Sequence, residues 1–275
     1  MAETEGGQNI RLRFKVRNIL YLIIIMVVVI AGVVAYLLFF VNGFATAAVG
    51  NGWYSIRGAS AVFSSGKLDM NFVGIESCEF CAAERYAIFD ALSNFGNWSY
   101  YGGQVTLSSL LVGNYSSNPE PDALFYLASK GDWTLNFLNP HLVYSSNYVN
   151  FSGVEASNNQ GEPLQSITSY ENKYLSKYDP GGGVPFTLIG GNFFEIGAGE
   201  SLINPSSGRP IIFNSSTNQG FMPRYIISQY NTSGSTINKG ITQESNYISA
   251  MICKDIGNAA PACSNPAISS LEHSV

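Results

Sequence analysis

The chain has 275 residues, 46% of them hydrophobic, with 14 basic against 19 acidic residues and a formal net charge of -5. That apolar content supports a real core and excludes a disordered chain, and the lack of a basic excess excludes a nucleic-acid partner. Charged residues make up 12%, about half of the ~25% of an ordinary globular protein. Such a polar but uncharged surface suits an acid exterior, where ionised carboxylates protonate and lose their partners.

In chain order, residues 1–17 read as a cytoplasmic tail and 18–41 as a transmembrane helix. Ile19 to Val41 is a run of 23 residues without a charge, which at ~1.5 Å per residue spans a ~30 Å hydrocarbon layer. Arg11, Arg13, Lys15 and Arg17 crowd its N-terminal flank, and no Lys or Arg follows until Arg57. The positive-inside bias therefore leaves the N-terminus in the cytoplasm and the main domain outside the cell membrane. The competing reading is a signal peptide cleaved after Ala45-Thr46-Ala47; the apolar run is long for one, and either outcome exports the bulk of the chain. Asn-X-Ser/Thr triplets at Asn97, Asn114, Asn150, Asn214 and Asn231 are compatible with that side of the membrane.

Residues 42–66, rich in Gly, Ala and Ser, are expected to form a stalk, with Trp53-Tyr54 suited to the membrane interface. The folded domain is expected over 67–265, and 266–275 as a C-terminal tail. Lys67 to Val73 alternates as a strand does and Gly74–Ser77 makes a turn. Cys81 to Phe95 follows as a helix, with Cys81, Ile88, Leu92 and Phe95 on one stripe and Gly96 as its C-cap. Roughly 97–165 reads as an insertion of short strands and loops with at least one core strand. A helix over Ile167–Tyr178 is broken at Asp179-Pro-Gly-Gly-Gly183. Val184–Ile189 and Asn192–Ile196 form a hairpin around Gly190-Gly191, and further helices fall at Met222–Tyr230 and Thr242–Ile256.

Four cysteines, Cys78, Cys81, Cys253 and Cys263, form an even count in an exported chain, where disulfides persist. Cys78 sits where a strand gives way to a helix, whose free amides and dipole favour a thiolate. Cys81, one turn further in and on the apolar stripe, suits the resolving role in thiol-disulfide exchange. Structural bridges and zinc knuckles share the Cys-X-X-Cys spacing, so the pair alone leaves the chemistry open. Cys253 and Cys263 are expected to form a structural disulfide, with a relay pair as the sharper alternative. The wide Cys253–Cys263 spacing argues against zinc, so no metal or other cofactor is expected. His141 and His273 read as surface residues. Glu79, between the first two cysteines, opposes a thiolate at Cys78; Arg85 is considered as an offset, although an exposed Arg pairing with a nearby Glu is its plainer role.

The second landmark is Val184-Pro185-Phe186 opening a hairpin after a helix. With Cys78-Glu-Phe-Cys81 it resembles the thioredoxin superfamily, in which a strand, Cys-X-X-Cys, helix unit is followed by a proline with a cis peptide bond beside the dithiol. More closely, SCEFCAAERYAIFDALSNFG with YENKYLSKYD and VPFTLIGGNFFEIG is similar to an archaeal family of membrane-anchored, extracytoplasmic thioredoxin-like proteins, over roughly Lys67 to Cys263. The resemblance implies an α/β thioredoxin-like fold with a strand-and-loop insertion, a cis Val184–Pro185 bond, and a partner groove at Val184 and Pro185. The function expected is a thiol-disulfide oxidoreductase or isomerase. Its partners are exported protein thiols and disulfides and a redox protein that recycles the dithiol. The rival class is a non-catalytic surface binding protein on the same scaffold, its cysteines oxidised once and left so.

Overall fold

The computed structural model describes residues 25–30, 46–109, 125–128, 132–135, 137–158, 160–213 and 223–275. The chain divides into two units, Met1–Ala45 and Thr46–Val275. In the first, residues 25–30 are helical with side chains 56–63% exposed. The rest of the expected anchor, Ile19–Val41, lies outside the described residues, among which no helix is long and apolar enough to cross a membrane.

The second unit begins earlier than expected. Strands β1 (Thr46–Gly50) and β2 (Trp53–Ile56) form an antiparallel hairpin around Asn51 and Gly52, both with positive φ, the backbone that Asn-Gly favours in a two-residue turn. Together with β3 (Phe63–Ser64) they belong to the main sheet. Residues 46–64 are therefore part of the domain and not a stalk, and Trp53 is fully buried instead of facing a membrane interface.

Strand β4 (Lys67–Gly74) carries the expected alternation, burying Leu68, Met70 and Phe72. Helix α1 (Glu79–Ser93) follows. The insertion contributes a three-stranded sheet of β5 (Gly96–Tyr100), β6 (Gly103–Val105) and β9 (Leu142–Ser146), and a two-stranded one of β7 (Phe125–Ala128) and β8 (Asp132–Leu135). Its last strand, β10 (Val149–Glu155), returns to pair parallel with β4. Helix α2 (Ser169–Tyr178) starts at a capping box between Thr168 and Glu171 that satisfies two end amides. Strands β11 (Phe186–Ile189) and β12 (Phe193–Ile196) form the expected hairpin. Gly190 and Gly191 both have positive φ there, as a type I′ turn requires. The main sheet runs β1-β2-β12-β11-β4-β10, with β3 beside β4.

Three helices complete the chain: α3 (Pro223–Tyr230), α4 (Thr236–Asp255) and α5 (Pro266–Glu272). Helix α4 begins six residues before the expected Thr242, because Ser235 accepts the Asn238 amide and caps it. The expected tail is α5, with Ile268 and Val275 buried. On one face of the sheet Leu68, Met70 and Phe72 pack with Ile88 and Leu92 of α1 and Ile248 and Met251 of α4. On the other, Val73, Val154, Phe186, Leu188 and Phe194 pack with Leu175 of α2. Burial of each such side chain stabilises the fold by about 1.5–3 kcal/mol, and the layering makes this a mixed α/β domain.

Two details of α1 depart from expectation. It is buried all round from Cys81 to Phe89 instead of along one stripe. Its C-cap is Asn94 in a right-handed conformation, and Gly96 opens β5. Glycine is needed at 96 for a different reason: a Cβ there would run into the Ser145 carbonyl and sit 2.8 Å from the Ser146 Cβ.

Candidate active site

The chain leaves β4, turns through Ile75–Ser77 and enters α1 with Cys78 as the N-cap (φ -82°, ψ 118°). The Cys81 amide donates to the Cys78 sulfur at 3.1 Å, as a side-chain oxygen accepts at an ordinary N-cap. Cys78 is partly exposed and Cys81 fully buried, and both are free thiols.

Their environments drive the two sulfurs apart. The Cys78 thiol is lowered, first by the hydrogen bond from the Cys81 side chain, then, against the opposing effect of burial, by the Cys81 amide, the Arg85 charge and the Phe80 amide. The Cys81 thiol is pushed well above its ordinary value, mainly by burial and then by its bond to Cys78. A lowered outer thiol beside a raised inner one is the asymmetry that dithiol exchange uses.

Val184 and Pro185, 106 positions beyond Cys78 in the case of Val184, close the site. Their peptide bond is cis, and the Cys78 thiol lies 3.6 Å from the Val184 carbonyl. Pro185 is buried and Val184 partly exposed, so the hairpin places backbone beside the outer sulfur. Cys253 and Cys263 are joined in a disulfide that ties the end of α4 to the chain leading into α5.

The charged residues around the dithiol are arranged differently from the sequence reading. Arg85 is not exposed and does not meet Glu79. It is fully buried, with Nε 2.7 Å and Nη2 2.6 Å from the two Glu155 oxygens and Nη2 2.9 Å from the Ile75 carbonyl. This pair joins α1 to β10 and holds a cation behind the thiols. Burial nevertheless raises Glu155, and burial foremost, then the Glu155 charge, raises the half-buried Glu76.

Glu79 is instead held by Arg209, in a two-bond fork through Nε and Nη2, with the guanidinium 3.3 Å above the Phe213 ring. Arg209 neutralises the one acidic side chain between the cysteines. No motif marks it in the sequence, and it lies 130 residues from its partner.

His141 stacks on Tyr101 at 4.0 Å and His273 is exposed; neither meets the dithiol. Of the sequence triplets, Asn97, Asn150 and Asn231 are exposed, while Asn114 and Asn214 lie outside the described residues. Among the described residues, the group of side chains that could hold a metal is Glu84, Glu195 and Glu244, which includes neither thiol.

A family model described as a domain of unknown function (DUF929) matches residues 58–254. No curated protein and no solved structure matches the chain.

Proposed function

The chain belongs to the DUF929 family, and from that premise we propose that it is a thioredoxin-like thiol-disulfide oxidoreductase or isomerase. On this reading it is anchored by residues 18–41, faces outward and acts on exported proteins. The observation that carries the reading is the Cys78 sulfur at a helix N-cap, lowered in pKa, 3.6 Å from the carbonyl that precedes the cis Pro185.

In the reducing direction the Cys78 thiolate attacks one sulfur of a partner disulfide. A mixed disulfide forms and the other partner sulfur leaves as a thiolate. Cys81 then gives its proton to the partner thiolate released in the first step and attacks the Cys78 sulfur; a Cys78–Cys81 bond forms, the mixed disulfide breaks, and the partner departs with its second sulfur as a thiolate. The same steps in reverse oxidise a partner dithiol. Burial and then the bond to Cys78 raise the Cys81 thiol; forming the mixed disulfide consumes the Cys78 thiolate and so removes the second cause, which makes Cys81 easier to deprotonate at that stage. Val184 and Pro185 offer backbone to an extended partner segment at the sulfur.

The test is a Cys81→Ser variant of the full chain, which retains the attacking sulfur and removes the resolving one. Exported partner proteins should accumulate as mixed disulfides at Cys78, released by reductant. No trapped partner, together with a Cys78–Cys81 potential below about -300 mV, would instead make the chain a binding protein with a structural bridge.

A further inference from the structure

A second chemical centre lies deeper in the domain. Glu84 of α1, Glu195 of β12 and Glu244 of α4 are each completely buried, and one carboxylate oxygen from each lies within 4.8 Å of the others. Glu244 is well supplied with donors: Trp53 Nε1 at 2.6 Å on one oxygen, and the Asn51 amide and the Ser201 hydroxyl on the other. The Gly199 amide donates to one Glu84 oxygen at 3.4 Å. The other Glu84 oxygen and both oxygens of Glu195 receive no hydrogen bond. No described Lys, Arg or His forms an ion pair with any of the three.

The walls of this cluster are shaped for it. A Cβ on Gly199 would overlap a Glu244 oxygen, and one on Gly52 would come within 2.7 Å of a Glu195 oxygen. The Asn51-Gly52 turn therefore closes over the carboxylates, and its Asn51 side-chain amide donates to Glu244.

Burying a carboxylate without a counter-charge costs several kcal/mol, and three in one low-dielectric site repel as well. Either protons or a cation must balance them. Calcium takes carboxylate oxygens at about 2.3–2.6 Å, so two ligands on opposite sides of the ion stand up to about 5 Å apart. Three carboxylate oxygens within 4.8 Å of one another can reach a common ion, and the Glu84 and Glu195 oxygens left without donors are the ones most open to it.

We propose that Glu84, Glu195 and Glu244 form a buried, oxygen-only site for a hard divalent cation such as Ca²⁺, which pins α1 to β12 and α4. The site requires nothing of the thiols. The test uses the purified full-length chain, stripped with chelator at pH 7 and titrated with Ca²⁺ or Mn²⁺. One ion should bind per chain, and the thermal midpoint should rise by about 5–10 °C at a hundredfold excess over Kd. Glu195→Gln and, separately, Glu84→Gln should each abolish both effects. The ion count on the unmodified chain stands even if a variant fails to fold. No bound ion at millimolar Ca²⁺ or Mn²⁺ would overturn the site, as would binding that survives both substitutions. A Glu195→Gln midpoint above that of the unmodified chain, without ion binding, would assign the charge balance to shared protons.

Discussion

Cys78 owes its acidity more to Cys81 than to the bare helix terminus, since the Cys81 side-chain hydrogen bond is the largest of the causes that lower it. A hydrogen bond donated to a charged group is stronger than one to a neutral group, so it favours the thiolate. Cys81→Ala removes the donor, whereas Cys81→Ser replaces it with a hydroxyl. The Cys78 pKa should therefore be higher in Cys81→Ala than in Cys81→Ser, as read from the pH dependence of iodoacetamide alkylation. Equal profiles would return the effect to the helix terminus. Arg209 acts at the same scale: by engaging Glu79 it removes the acidic neighbour that would otherwise raise the thiol.

Among the elements, β5 lies so close to β9 that Gly96 is irreplaceable. Gly96→Ala places a methyl group against the Ser145 carbonyl and the Ser146 Cβ, both part of a paired strand and unable to rotate away. Overpacking of this kind costs about 1–3 kcal/mol, and the urea midpoint should fall accordingly; an unchanged midpoint would mean that β9 yields. The buried Arg85–Glu155 pair ties α1 to β10. Glu155→Gln leaves the guanidinium buried without its counter-charge, a loss of about 3–5 kcal/mol that denaturant unfolding would register.

Over the whole molecule, buried acids set the pH response. Burial pushes Asp255 up to about 6, against the lowering effects of the Asn192 amide and the Lys254 charge, and it raises Asp90 as well. The unfolded carboxyl titrates near ~3.9, so between that value and about 6 the folded chain holds a proton that the unfolded chain has released. The stabilisation is complete below about pH 4 and is lost as pH rises through about 6. With chelator present, the thermal midpoint should fall from pH 4 to pH 7. A rise over that range would contradict the sign.

Much of this architecture was legible along the chain. The alternation of Lys67–Val73, the Cys78 helix entry, the Gly190-Gly191 turn and the Cys253–Cys263 pairing all arise from neighbours within about a dozen positions. Asn51-Gly52 was an equally local hairpin signal, obscured because the small residues of Thr46–Gly50 have the composition of a linker. Gly96 looked like a helix cap for the same reason: glycine marks both a left-handed turn and a close approach, and only the neighbouring strand distinguishes them. Arg209 beside Glu79, Glu155 beneath Arg85 and Glu244 under the Asn51 turn are separated by 130, 70 and 193 positions. Periodicity and capping act over one or two turns of chain, whereas the partner of a buried charge is chosen by which surfaces the packed sheet and helices bring together.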